Sequence, residues 1–112
     1  MSQTGINVRR KGIDFEQNFC KYLRVLGWTA STTRDSFKRL DRKKVDIITN
    51  APFSFQLKRM ERLRPSPVEI LESMPTKAGK TRVLVHKQNH KPTTVTMFLK
   101  DFELLLLQKN DS

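Results

Sequence analysis

Asp46, Gln56 and Lys58 put three distinct chemistries on two neighbouring apolar segments of this 112-residue chain. In Phe53-Ser54-Phe55-Gln56-Leu57-Lys58, strand alternation sends Phe53, Phe55 and Leu57 to one face and Ser54, Gln56 and Lys58 to the other. If Asn50-Ala51-Pro52 closes a three-residue hairpin, Thr49 faces Phe53 and Asp46 faces Gln56. Asp46, Gln56 and Lys58 then converge on one face, unless a bulge beside the loop slips the register. A carboxylate, an amide oxygen and an ammonium group together suit a hard divalent cation, Mg²⁺ or Mn²⁺ in its place, which takes oxygen ligands. Such an ion polarises a phosphodiester and lowers the pKa of an attacking water. The lysine stabilises the charge that develops on the phosphate. Glu16 adds a second carboxylate if its helix packs on the same sheet. Asp46 is out of place in an apolar strand, and an unpaired buried carboxylate is costly, so it calls for a metal or a cationic partner such as Lys58.

These residues need a scaffold, and the hydrophobic pattern supplies one. Residues 1–11 read as a flexible basic arm. Asp14 with Gln17 resembles a helix start, Phe15, Phe19, Leu23 and Leu26 recur at helical spacing, and Gly27 ends a helix over 14–26. Strands follow at 28–33, 45–49 and 53–58, separated by a charged loop at 34–44 and the turn at 50–52. Pro67 suits the first turn of a short helix over 68–74, and Pro75 ends it. After a basic loop at 76–80 come strands at 82–86 and 93–98 and a closing helix at 99–108. The order α-β-β-β-α-β-β-α predicts a single α/β domain over 12–108 with a short tail at 109–112. Cys20 falls near the first helix's apolar stripe and reads as a buried small hydrophobe. Trp28 and most phenylalanines fall in core-like positions, which leaves few aromatic platforms for RNA. His86 and His90 flank a polar turn and read as surface residues. Leu104 to Leu107 cover every side of the last helix, so either the core wraps it or another subunit does.

Charge points to the partner. Lys and Arg number 22 against 11 Asp and Glu, a net charge of +11. A folded domain with that excess repels itself unless a polyanion neutralises it, and nucleic acid is the leading candidate. An acidic membrane surface is the weaker one. Arg34, Lys38, Arg39, Arg42, Lys43 and Lys44 crowd the 34–44 loop, and Arg59 and Arg62 follow the Lys58 strand, so both segments read as phosphate-binding surface. Leu, Ile, Val and Phe make up 31 of the residues, enough to fold. With one cysteine and two histidines there is no disulfide framework, CxxC motif or all-His metal site. The absence of a signal peptide or long apolar run predicts a soluble, cytoplasmic protein.

The motifs Arg10-Lys11-Gly12, Glu16, Asp46-Ile47-Ile48 and Gln56-Leu57-Lys58, with Arg34 and Ser36 ahead of the aspartate, resemble the PD-(D/E)xK nuclease superfamily. Within it the chain is most similar to archaeal-type Holliday-junction resolvases, over roughly residues 9–100. The resemblance implies a restriction-endonuclease-like three-layer domain, a mixed central sheet flanked by helices. It implies that Glu16, Asp46 and Gln56 hold Mg²⁺, that Lys58 is catalytic, and that Arg10 and Ser36 contact the scissile backbone. It further implies a homodimer that cuts DNA four-way junctions, with Arg9, Lys11 and the basic loops reading junction shape through phosphates. Val45 stands where the family has Pro, and Gln56 where it usually has an acid, which removes one negative charge from the metal site. Two other readings fit the same residues: a repair or restriction-type nicking endonuclease of this fold, and a non-catalytic nucleic-acid-binding module.

Overall fold

The structure, a computed structural model, describes residues 2–33 and 45–108. Its elements run α1 (Ser2–Val25), β1 (Ala30–Thr32), β2 (Ile47–Thr49), β3 (Phe53–Arg59), α2 (Pro67–Ser73), β4 (Thr81–Lys87), β5 (Thr94–Thr96) and α3 (Leu99–Leu107). That is the expected order, in a mixed α/β fold with three helices and two sheets among the described residues. The expected arm over 1–11 is the one large departure: from Ser2 onward it continues α1. Once a helix is nucleated, each added residue gains a hydrogen bond, and Val8, Arg9, Arg10 and Lys11 all tolerate helix, so the Asp14–Gln17 signal does not start it.

The end of α1 is set by Gly27, which adopts the left-handed conformation (φ 104°). Its N–H donates to the Arg24 carbonyl at 3.0 Å, and the Trp28 N–H donates to the Leu23 carbonyl at 3.0 Å, a Schellman closure. The chain thereby leaves the helix with Trp28 at the surface, not in the core where its apolar ring suggested. From α1, Cys20 and Leu23 are buried and Phe15 and Phe19 pack beside them, a stripe at spacings of three and four residues. The stripe lies on Phe55, Leu57, Val83 and Val85, and Phe19 meets Phe55 edge-on at 4.9 Å between ring centres.

β3 and β4 form the backbone of the molecule, a parallel pair in register from Phe53↔Thr81 to Arg59↔Lys87. β5 adds to β4 antiparallel, and β1 pairs with β2 antiparallel. Strand alternation puts Ser54, Gln56 and Lys58 of β3 with Arg82, Leu84 and His86 of β4 on the face away from α1. On that face Leu84 is fully buried against Ile70, Leu71 and Met74 of α2, so the two helices cover opposite faces. α2 is well started: the Ser66 hydroxyl accepts the Glu69 N–H and Pro67 occupies the first turn.

The hairpin expected across 50–52 does not form a ladder between β2 and β3. The turn is tied elsewhere. The Asn50 side chain accepts the Thr29 N–H at 2.9 Å, and Lys80 Nζ donates to the Thr49 and Ala51 carbonyls at 2.6 Å each. The Pro52 carbonyl accepts the Thr81 N–H at 2.9 Å. α3 has no buried residue; Leu99, Phe102, Leu104, Leu106 and Leu107 are exposed. The core therefore does not wrap it.

Candidate metal site at the open edge of the central ladder

Asp46 precedes β2 and is clamped to the edge of β3 that β4 leaves open. Its N–H donates to the Phe55 carbonyl at 2.8 Å, and its Oδ2 accepts the Leu57 N–H at 2.7 Å. Its own carbonyl accepts the Thr33 N–H at 3.0 Å, which joins the end of β1 to the same point. Asp46 thus spans Gln56, bonding to the residue on either side of it. The backbone register is one residue from the expected Asp46–Gln56 pairing: Asp46 meets Phe55. The carboxylate takes a ladder hydrogen bond of β3, and strand N–H groups lie in the plane of the sheet, so it sits at the edge beside Gln56.

Gln56 is only 8 % exposed, and its Oε1 is buried with no hydrogen-bond partner among the described residues. An orphaned buried acceptor of this kind costs about 1–3 kcal/mol, and native folds carry few of them. Lys58, two residues on along the same face, is half-buried, and among the described residues it makes no hydrogen bond or ion pair. Its ladder partner is His86. His86 is half-buried rather than a surface residue, with Nε2 2.7 Å from the Met60 carbonyl. A carbonyl only accepts, so that nitrogen carries the proton.

Glu16, also 8 % exposed, lies on the inward side of α1, one turn before Cys20, and engages a partner there. It approaches from the α1 side of the sheet, whereas Gln56 and Lys58 alternate to the other side; Asp46 stands at the edge between them. Cys20 is buried, as expected. Among the described residues no three His, Cys, Asp or Glu side chains gather for a metal. An oxygen site here therefore depends on the Gln56 amide. The donor set fits a hard cation: oxygen atoms only, one of them buried and unsatisfied.

The expected phosphate-binding residues divide. Arg9, Arg10 and Lys11 are exposed on α1, Arg9 and Arg10 lining a cavity of about 430 Å³ with Ile13 and Asp14. Lys11 Nζ donates to Asn89 Oδ1 at 3.3 Å. Arg59 is partly spent on structure, giving Nη2 to Asn89 Oδ1 at 2.8 Å and Nη1 to the Lys87 carbonyl at 3.4 Å. Arg62 is exposed. Arg34, Ser36, Lys38, Arg39, Arg42 and Lys43 lie outside the described residues. One basic group escaped the sequence reading: Lys77, Lys80, Arg82 and Lys100 meet around a single cavity at the other end of β4. The basic loop at 76–80 and the start of the last helix at 99 are both legible in the sequence, but their meeting in space is not.

No helix among the described residues is long and apolar enough to cross a membrane. The chain matches no protein-family model, and no curated protein and no solved structure matches it.

Proposed function

We propose that this chain is a metal-dependent DNA endonuclease of restriction-endonuclease-like fold, selective for four-way junctions. The observation that carries the reading is the buried Gln56 Oε1 without a partner, beside a carboxylate fixed on the same strand edge. Folding rarely retains such an atom unless a ligand repays it. Gln56 and Asp46 would hold Mg²⁺ or Mn²⁺, whereas Glu16, on the α1 side of the sheet, is not brought to Gln56. When bound, the ion supplies positive charge that polarises the phosphodiester and acidifies the attacking water. Asp46 is oriented by the Leu57 N–H, which keeps its carboxylate from rotating away from Gln56. Lys58 donates to a phosphoryl oxygen as negative charge grows there. Water attacks in line with the leaving oxygen. Arg9, Arg10, Lys11 and Arg62 neutralise flanking phosphates, in keeping with the net charge of +11.

Cutting two strands of a junction symmetrically needs two sites, and one chain carries one, so the acting species is a homodimer. The exposed leucines of α3 are its contact surface.

The test incubates the protein with a fixed four-way junction and a matching linear duplex, with Mg²⁺ or a chelator. Paired nicks in the junction alone are expected, abolished by chelator and by Asp46→Asn, with binding retained. A linear duplex cut as readily would make it a nicking enzyme of the same fold. Tight binding without nicks under any divalent ion would leave a non-catalytic binding module.

A further inference from the structure

The cavity at the N-terminal end of β4, about 320 Å³, is walled by Thr76, Lys77, Ala78, Lys80, Arg82, Lys100 and Asp101. Four cations from a loop, a strand and a helix face one acid. Two of the cations are locked in place. Arg82 lies over the Phe98 ring at 5.1 Å and gives Nη1 to the Leu71 carbonyl at 3.2 Å, near the end of α2. Its Nε and Nη2 are uncommitted among the described residues. Lys80 is held by the Thr49 and Ala51 carbonyls, and burial, with Lys77 nearby, pushes its pKa below the usual lysine value. Lys77 and Lys100 are exposed and complete the rim.

A guanidinium fixed by stacking and capping loses little freedom when it binds, and its fork matches the oxygens of a phosphate. Burial is the larger cause of the lowered Lys80 pKa, and the smaller one, repulsion from Lys77, is what an anion would relieve. Arg82 sits level with Ser54, four residues from the level of Lys58, or about 13 Å at ~3.3 Å per strand residue. Gln56, level with Leu84 under α2, is nearer than Lys58, but none of Asp46, Gln56 and Lys58 lines the cavity, so the cavity is not part of the Asp46–Gln56 site. A small anion could meet only one of these places. A polyphosphate chain meets both, since 13 Å is the rise of about four base pairs.

We propose that this cavity is a second phosphate-binding site, which takes a DNA backbone phosphate at a distance from the metal site. It rests on the reading that the chain binds DNA, but not on cleavage. The experiment titrates the full-length protein into a fluorescein-labelled four-way junction and a short duplex, followed by anisotropy between about 50 and 200 mM salt. Lys77→Ala/Lys100→Ala is compared with wild type and with Lys21→Ala/Lys91→Ala, which removes the same charge from exposed positions elsewhere.

The cavity variant is expected to reduce the slope of log affinity against log salt by about 1, for the one phosphate that is no longer neutralised. The control variant should stay within a few tenths of wild type, with both melting like wild type. Equal slopes for the two variants overturn the second site but leave DNA binding standing. Wild type that binds neither probe overturns both. Binding to phosphatidylserine vesicles that the cavity variant loses, with DNA affinity unchanged, assigns the cavity to a lipid surface and also overturns the proposal.

Discussion

The two halves of the β3–β4 ladder differ in what their polar atoms leave open. From its middle toward its C-terminal end, Gln56 presents a buried acceptor with nothing bonded to it among the described residues, next to an aspartate fixed by a backbone N–H, and Lys58 follows two residues on. At the N-terminal end, Lys80 and Arg82 present donors already anchored by backbone carbonyls, with Lys77 and Lys100 around them. One leaves an acceptor open beside a single lysine, and the other gathers cations around a cavity. The hydrophobic contact of Leu84 with α2 lies level with Gln56, and it stands between Arg82 and Lys58 along one pair of strands. In such a fold, positional precision comes from the strands, and the chemistry is decided by which polar atoms each end leaves unsatisfied.

Lys58→Ala is the strongest way to break the contrast. Removing a group that stabilises charge in a transition state typically costs about 10²–10³ in rate. Junction cleavage in single-turnover assays is expected to fall by at least about 10², with binding changed less than about threefold, since one cation among many is lost. Cleavage that persists in the variant would mean the reacting phosphate lies elsewhere, and the C-terminal end would lose its claim to chemistry.

Much of this organisation could be read before the structure, and the parts that could not have physical reasons. Period-2 and period-3.6 patterns are local, so the order of eight elements emerges from them. Asp46 stood out because an acid in an apolar strand demands an explanation. The register next to it is not readable, because the 50–52 turn is tied to Thr29 and to Lys80, partners distant in sequence. The extent of α1 was misjudged because a good start signal at Asp14 does not prevent a helix from beginning earlier. The orphaned state of Gln56 Oε1 depends on how the elements pack around it, and the basic cavity depends on α3 meeting the 76–80 loop in space. Both are tertiary facts with no local signature.

Gln56→Met sharpens the comparison at intermediate magnitude and needs no activity assay. The variant keeps length and shape but has no strong acceptor to leave unsatisfied. If the amide oxygen is retained for a ligand, the metal-free variant should gain about 1 kcal/mol or more in urea denaturation, within the ~1–3 kcal/mol cost of an orphaned group. Wild type should gain stability on addition of Mg²⁺ and the variant should not, because only a ligand that binds the folded state raises its midpoint. A variant that is less stable than wild type without metal would show that Gln56 is satisfied in solution, and the metal proposal would lose its main support.

The smallest effect is expected where the two ends are kept apart. Ser66 Oγ accepts the Glu69 N–H at 3.4 Å, a long bond for a helix cap. Caps of this type are worth about 0.5–2 kcal/mol, so Ser66→Ala should cost about 0.5–1 kcal/mol in urea denaturation. The buried contacts of α2, Ile70, Leu71 and Met74 on Leu84, hold the helix down beyond its first turn. The frayed turn should therefore leave both the salt slope of DNA binding and the Mg²⁺ response as in wild type. A change in the Mg²⁺ response alone would couple the start of α2 to the Gln56 pocket. A change in the salt slope alone would couple it to the basic cavity. Either would show that α2 transmits strain between the ends instead of insulating them.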